Sequence, residues 1–336
     1  MLLAGLFLPA ISPAQTLGGN ALFSFLRLSN SPRLTALGSV NISHPASENG
    51  LAFQNPALLI PSMDQQLHLA FNDLYGGATG YHLAYAFYKE KWSTSFNAGL
   101  QYFNYGKTPA TDASGNSLGE FNPADMMLQL SASRSYLQRW NYGLSVKFMA
   151  SRYGIYRASG LAFDMGLLYK DSSGGFRASV LMKNAGLVIR HFSNGSSEEL
   201  PFEMQVGVSQ KLKHTPFGFS LTAQQANRFD IRYADENFGS SGGTTDPKAS
   251  KIGKLMDHLV LGTTLYLHEK LEIDLGYNFL RRRELTVPSG GNGLTGFSYG
   301  LDLKLKKFIF HYARSHYQST RAWNSIALTL DMSKFL

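Results

Sequence analysis

The sequence predicts an all-β protein: an antiparallel transmembrane β-barrel of about 14 strands with a short N-terminal hatch or plug segment containing helical turns. Three observations predict it. Apolar residues alternate with small or polar ones over segments long enough to cross a bilayer. The connections between these segments are short on one side and often long on the other. The composition joins 44% hydrophobic and 13% aromatic residues to only 16% charged ones, where roughly 25% charged is usual for soluble domains. No run of about 18 apolar residues interrupts this pattern, which argues against membrane-spanning helices.

The elements follow in chain order. Residues 1–14 read as a signal peptide: Leu2 to Ile11 form its apolar core, and Ser12 and Ala14 supply small residues before a cut at Gln15. The basic n-region is missing, as if truncated. Residues 15–63 do not alternate. Leu22, Phe25, Leu26, Leu34 and Leu37, broken at Pro32, suggest short helical turns. A non-strand segment before a barrel is expected to fold into the lumen as a hatch or to cap its periplasmic mouth.

Residues 64–336 form the expected barrel. Strands are read near 65–73, 80–89, 92–104, 124–136, 140–152, 158–170, 175–185, 202–213, 217–227, 257–267, 271–281, 296–305, 308–318 and 324–334. In the sixth, Leu161, Phe163, Met165, Leu167 and Tyr169 share one face, and Ala162, Asp164 and Gly166 the other. A soluble sandwich would bury the apolar face, whereas a membrane barrel turns it to lipid. The loops favour the barrel. Glu90-Lys91, Leu137 to Arg139 and Lys306-Lys307 are tight, while Tyr105 to Pro123, Gly186 to Pro201, Arg228 to Met256 and Arg282 to Thr295 are long. Long loops on the outer side and an even strand count place both barrel ends in the periplasm.

Interfacial aromatic girdles are expected from Tyr88, Trp92, Tyr102, Tyr105, Trp140, Tyr169 and Trp323. Lys147, Asp164, Arg177, Lys183, Glu203, Asp274, Asp302 and Lys304 are expected inside, pairing with one another or with the hatch.

The sequence offers little chemistry. There is no cysteine, which removes thiolate metal sites and cysteine nucleophiles. Gly296 to Gly300 matches G-x-S-x-G, but Ser298 lies inside an alternating strand rather than at a strand-to-helix turn. The G-x-G-x-x-G at Gly291 to Gly296 opens a strand, not a helix, so it lacks a dinucleotide site's context. His311 and His316 face opposite ways on one strand. No catalytic residue, cofactor or metal site is expected, and no enzymatic activity. The net charge of +8 comes from scattered Lys and Arg, apart from Arg281, Arg282 and Arg283. It suits anionic lipid head groups or an acidic partner rather than nucleic acid.

Several stretches carry a family resemblance: NALFSFLRLSNSPRLTALG (20–38), LAFQNPALL (51–59), QYFNYGK (101–107), LPFEMQVGVSQKLKHTPF (200–217) and FSYGLDLKLKKF (297–308). With them the chain resembles the PorQ family of the Bacteroidota type IX secretion system. Asn55-Pro56-Ala57 is shared more widely, with PorV and the FadL-like transporters. The resemblance implies a 14-stranded outer-membrane barrel with a hatch that includes Asn55 and Pro56. It implies a non-enzymatic role in the attachment complex. There the barrel would hold a PorZ-like surface protein beside the PorU–PorV sortase and shuttle pair, where cargo is joined to lipopolysaccharide. Partner contacts are expected at the outer loops and rim: Tyr105, Lys107, Phe121, Phe229, Arg232, Tyr233 and Arg281 to Arg283. The loop from Asp235 to Lys251 departs from the family pattern. The alternative expectation is a FadL-like transporter of hydrophobic small molecules.

Overall fold

The computed structural model describes residues 21–193, 198–231, 251–285, 293–317 and 322–334. The expected signal peptide and residues 15–20 lie outside the described residues, as do Arg232, Tyr233 and most of the loop from Asp235 to Lys251.

Fourteen strands close into one antiparallel barrel. They are β1 (Gln66–Asp73), β2 (Thr79–Lys89), β3 (Thr94–Asn104), β6 (Ala124–Tyr136), β7 (Trp140–Tyr153), β8 (Tyr156–Lys170), β9 (Phe176–Arg190), β10 (Glu203–Lys211), β11 (Phe217–Ala223), β12 (Leu259–His268), β13 (Leu271–Asn278), β14 (Phe297–Lys304), β15 (Phe308–His316) and β16 (Ala322–Asp331). Each pairs with the next, and β16 returns to β1 with Gln66 opposite Asp331, so no edge is left open. The strand count and closure agree with the sequence expectation, and most boundaries agree within a few residues.

Three differences have physical causes. The loop after β3 carries its own hairpin, β4 (Thr108–Thr111) and β5 (Ser117–Phe121), turned by Asp112, whose carboxylate accepts from the Ser114 and Asn116 backbone N–H groups. The strand expected over 271–281 stops at Asn278. The Asn278 side chain accepts from the Arg281 N–H at 3.0 Å and starts helix α4 (Phe279–Glu284). Strand β9 runs on to Arg190, past a bulge where Asn184 sits at φ 56°.

The apolar faces point outward. Leu144, Val146 and Phe148 are exposed on β7, while Gly143, Ser145, Lys147 and Met149 between them are buried. That inversion is what lipid requires. Aromatic rings mark both ends of the wall. Phe71, Tyr81 and Tyr102 line up near the long-loop end, with centroids 5.4 and 6.4 Å apart. Phe87, Phe96 and Trp92 cluster at the short-turn end, where Trp140 also meets Tyr169 at 4.9 Å. Two residues expected in the girdles are elsewhere. Trp323 shares the inward face of β16 with Ser325 and Ala327 and packs on Tyr317. Tyr105 lies past the end of β3, and its hydroxyl is drawn in by a buried carboxylate.

The barrel is lopsided. Strands β6 to β9 have 13 to 15 residues, whereas β10 to β15 have 7 to 10. At about 3.4 Å per residue, one wall stands well above the other on the long-loop side. Two short helices, α3 (Lys251–Asp257) and α4, lie over the lower wall and contact each other.

Candidate functional site

The described part of the hatch fills the lumen. It enters at the long-loop end, where Ala21 bridges Glu199 and the Leu22 N–H donates to the Glu199 carbonyl. It descends through α1 (Pro32–Ala36), reaches the short-turn mouth at His44 to Ser47, and turns back through α2 (Asn49–Gln54). Pro32 suits the first turn of α1, because a helix leaves that N–H unpaired in any case. The segment leaves beside Asp64, whose carboxylate accepts from the Tyr88 N–H, and continues into β1.

One charge centre ties the hatch to the wall. Arg33 on α1 is 1% exposed. Its guanidinium reaches Glu48 of the hatch at 2.6 Å, Glu272 at 2.8 Å, Asp274 at 3.1 Å and Asp302 at 3.1 Å. The planar fork of Arg spreads five donors over these carboxylates, where an ammonium has three on a single nitrogen. Lys304 adds a second cation on Glu272, and His311 bonds Asp302. Glu48, Asp302 and His311 offer ligand atoms within 4.8 Å of one another, a spacing a metal ion could use. Arg33 already bonds both carboxylates, so the group works as an ion-pair centre.

A second buried pair lies across the lumen. Lys147 meets Asp164 at 2.5 Å and donates to Asn184 at the bulge of β9 at 3.0 Å. Asp164 in turn accepts from the Asn184 N–H. The sequence named Asp274, Asp302, Lys304, Lys147 and Asp164 of these two centres as inward-facing, but not Glu272, His311 or Asn184 as their partners. It missed Arg33 and Glu48, whose signal was a lone arginine in the apolar run of α1 and a lone glutamate before α2.

Small residues on the wall let the hatch backbone touch it. A Cβ at Gly143 would collide with the Pro56 carbonyl, one at Gly166 with the Asn55 side chain, and one at Gly276 with the backbone at Gly38. At Gly300 it would stand 2.6 Å from Ala36, and at Gly99 2.6 Å from the Phe53 ring. Asn55 is fully buried. Its amide donates to the Ile42 carbonyl at 2.8 Å and to Ser179 at 3.0 Å, and its oxygen accepts from the Ala57 N–H. Ser298 serves the same docking: its hydroxyl donates to the Ala36 carbonyl and accepts from the Gly38 N–H.

The described members of the expected rim set have separate surroundings. Lys107 is exposed and pairs with Glu120 at 3.2 Å. Phe121 ends β5 half-buried, and Phe229 is exposed, its carbonyl accepting from His258. Tyr105 donates to Asp125 at 2.6 Å and stacks on Tyr153 at 6.0 Å. Burial and the neighbouring carboxylate push its hydroxyl well above the ordinary tyrosine range, so it stays a donor. Arg281 corrects the expectation of a rim contact. Because the chain turns helical at Asn278, its guanidinium points inward, 4.0 Å from the centre of the Tyr317 ring, and bonds Ser315 and the Gly38 carbonyl. Arg282 donates to the Gly293 carbonyl and Arg283 pairs with Asp257 at 3.0 Å.

A closed antiparallel barrel with an apolar exterior, a polar lumen and an inserted N-terminal hatch defines an integral outer-membrane β-barrel. No family model and no curated protein sequence matches the chain. Solved structures do. The toluene transporter TodX of Pseudomonas putida is 12% identical, with 94% of this chain and 98% of that chain covered and a TM-score of 0.54. The CymD monoaromatic hydrocarbon channel is 9% identical, with 90% and 97% covered and a TM-score of 0.52. At these identities the likeness is one of fold.

Proposed function

We propose that this protein is a non-enzymatic, plugged outer-membrane barrel that holds a surface partner at its outer rim. The partner would be a PorZ-like protein of the type IX attachment complex, beside a PorU–PorV pair and lipopolysaccharide. The observation that carries this reading is the seating of the hatch. Arg33 joins it to three carboxylates of the wall, and its backbone lies directly on wall glycines. A segment held this way suits a scaffold that stays shut. The tall wall and its hairpin supply an outer surface for a partner, and the sequence resemblance supplies the partner's identity. The test is affinity purification of tagged protein from outer membranes in mild detergent, with mass spectrometry. A large surface protein should co-elute, and deleting residues 107–121 or 228–256 should release it while the barrel remains inserted. Retention of the partner after both deletions would refute the reading.

The fold likeness to TodX and CymD favours a second reading, a transporter of hydrophobic small molecules. It predicts that the hatch moves. Toluene entry into vesicles bearing the protein, above the rate of empty vesicles, would support transport over anchoring.

A further inference from the structure

We propose that the cleft at the outer, long-loop end of the tall wall is a binding site for a small organic cation, an ammonium group carried on an apolar or aromatic body. The cleft opens on the long-loop side and has a volume of about 220 Å³. A cavity of about 150 Å³ already accepts benzene. Five aromatic side chains line it: Phe23 and Phe25 from the hatch, Tyr153 from the end of β7, and Tyr105 and Phe192 from the loops beyond β3 and β9. Phe25 meets Phe103 at 5.6 Å beneath, and Tyr153 meets Phe192 edge-on at 5.3 Å above.

The charge in this aromatic box is negative. Asp125 lines the cleft and is 3% exposed. Its Oδ2 accepts from Tyr105 at 2.6 Å and from Tyr153 at 3.1 Å. Its Oδ1 lies on the side of its cross-strand partner Ser151, whose side chain also lines the cleft. Glu198 stands at the entrance, 3.5 Å from His191. Among the described residues, neither Lys nor Arg lines the cleft. A buried carboxylate served only by neutral hydroxyls still lacks a counter-ion. Ring faces around it attract a cation through their quadrupoles. An ammonium ion meets both demands, and an apolar body fills the remaining aromatic space. A neutral hydrocarbon would leave the carboxylate unanswered, and an anion would be repelled. The inference is independent of the anchoring role, since it concerns a cleft rather than a protein surface.

The test is calorimetric titration of the full-length protein in detergent, with 2-phenylethylammonium, its neutral analogue 2-phenylethanol, and phenylacetate. N-acetyl-lysine amide is titrated as well, because the same ammonium chemistry could arrive on a protein side chain. One of the two cations should bind at least about tenfold more tightly than the neutral analogue, and phenylacetate should not bind. Tighter binding of 2-phenylethylammonium would mark a free small molecule as the source, and tighter binding of the lysine amide a protein. Asp125→Asn should abolish the preference for the cation. Phe192→Leu, outside the strands, should weaken it several-fold without touching the barrel. Equal binding of cation and neutral analogue would overturn the proposal, as would no binding by either cation.

Discussion

Replacing Arg33 with methionine tests the idea that one buried charge centre holds the hatch in the lumen. Methionine keeps most of the side-chain volume and removes the cation. Glu272 would keep Lys304 and Asp302 would keep His311. Asp274 would keep the Thr264 hydroxyl and its neighbour Asp302 but no cation, and among the described residues Glu48 would have no cation closer than His311 at 3.9 Å. Removing one partner of a buried pair costs about 3–5 kcal/mol. The four contacts do not multiply that figure, because Glu272 and Asp302 are still served and the hatch can shift. A loss of about 3–5 kcal/mol is therefore expected. It is read from urea unfolding in lipid vesicles, followed by the fluorescence of the three tryptophans. The deficit should shrink on acidification, since protonated carboxyl groups need no counter-ion. In planar bilayers the variant should conduct ions where the parent does not. Arg33→Lys should recover only part of the loss, because three donors on a single nitrogen cannot reach all four carboxylates as the guanidinium does. An Arg33→Met protein that unfolds within about 1 kcal/mol of the parent and stays non-conducting would refute the reasoning.

Three further outcomes are expected. Gly143→Val puts a branched side chain where the Pro56 carbonyl lies; overpacking of this kind costs about 1–3 kcal/mol, and limited proteolysis should then cut the hatch. Asn55→Ala strands the Ile42 carbonyl and the Ala57 N–H inside the lumen, for a loss of about 1–3 kcal/mol in the same unfolding assay. Val146→Arg places a charge on the outward face near the middle of β7; it should cost about 2–4 kcal/mol in vesicles, against little effect for Lys107→Ala on the exposed hairpin.

The barrel was legible because its signal is local. Each strand declares its two faces through period-2 alternation, and a wall between lipid and a polar lumen needs nothing more subtle. Even the inner glycines Gly166, Gly276 and Gly300 could be read as small inward residues. What they accommodate could not, because their partners Asn55, Gly38 and Ala36 are distant in sequence. The same holds for Arg33, whose wall partners lie about 240 or more residues away. The girdle assignments failed at Trp323 and Tyr105 for a related reason. A strand end leaves the choice between inside and outside to what is packed there, and Tyr317 and Asp125 decided it. Arg281 was misplaced because a single capping side chain, Asn278, ended the strand three residues early.

The fit of hatch to wall also dictates an order of events during biogenesis. With Pro56, Asn55, Ala36 and the Gly38 turn pressed against the sheet, a finished cylinder would leave scant clearance to thread this segment in afterwards. The sheet has to wrap around a segment already in place, and the β1–β16 seam is the natural last stitch. The closing strand follows the whole chain, and Arg33 waits for partners made some 240 residues later. Such separations make folding slow. The newly secreted chain must therefore spend its vulnerable interval open-sided, its lipid-facing rows still unhoused and in need of escort until the last strand arrives.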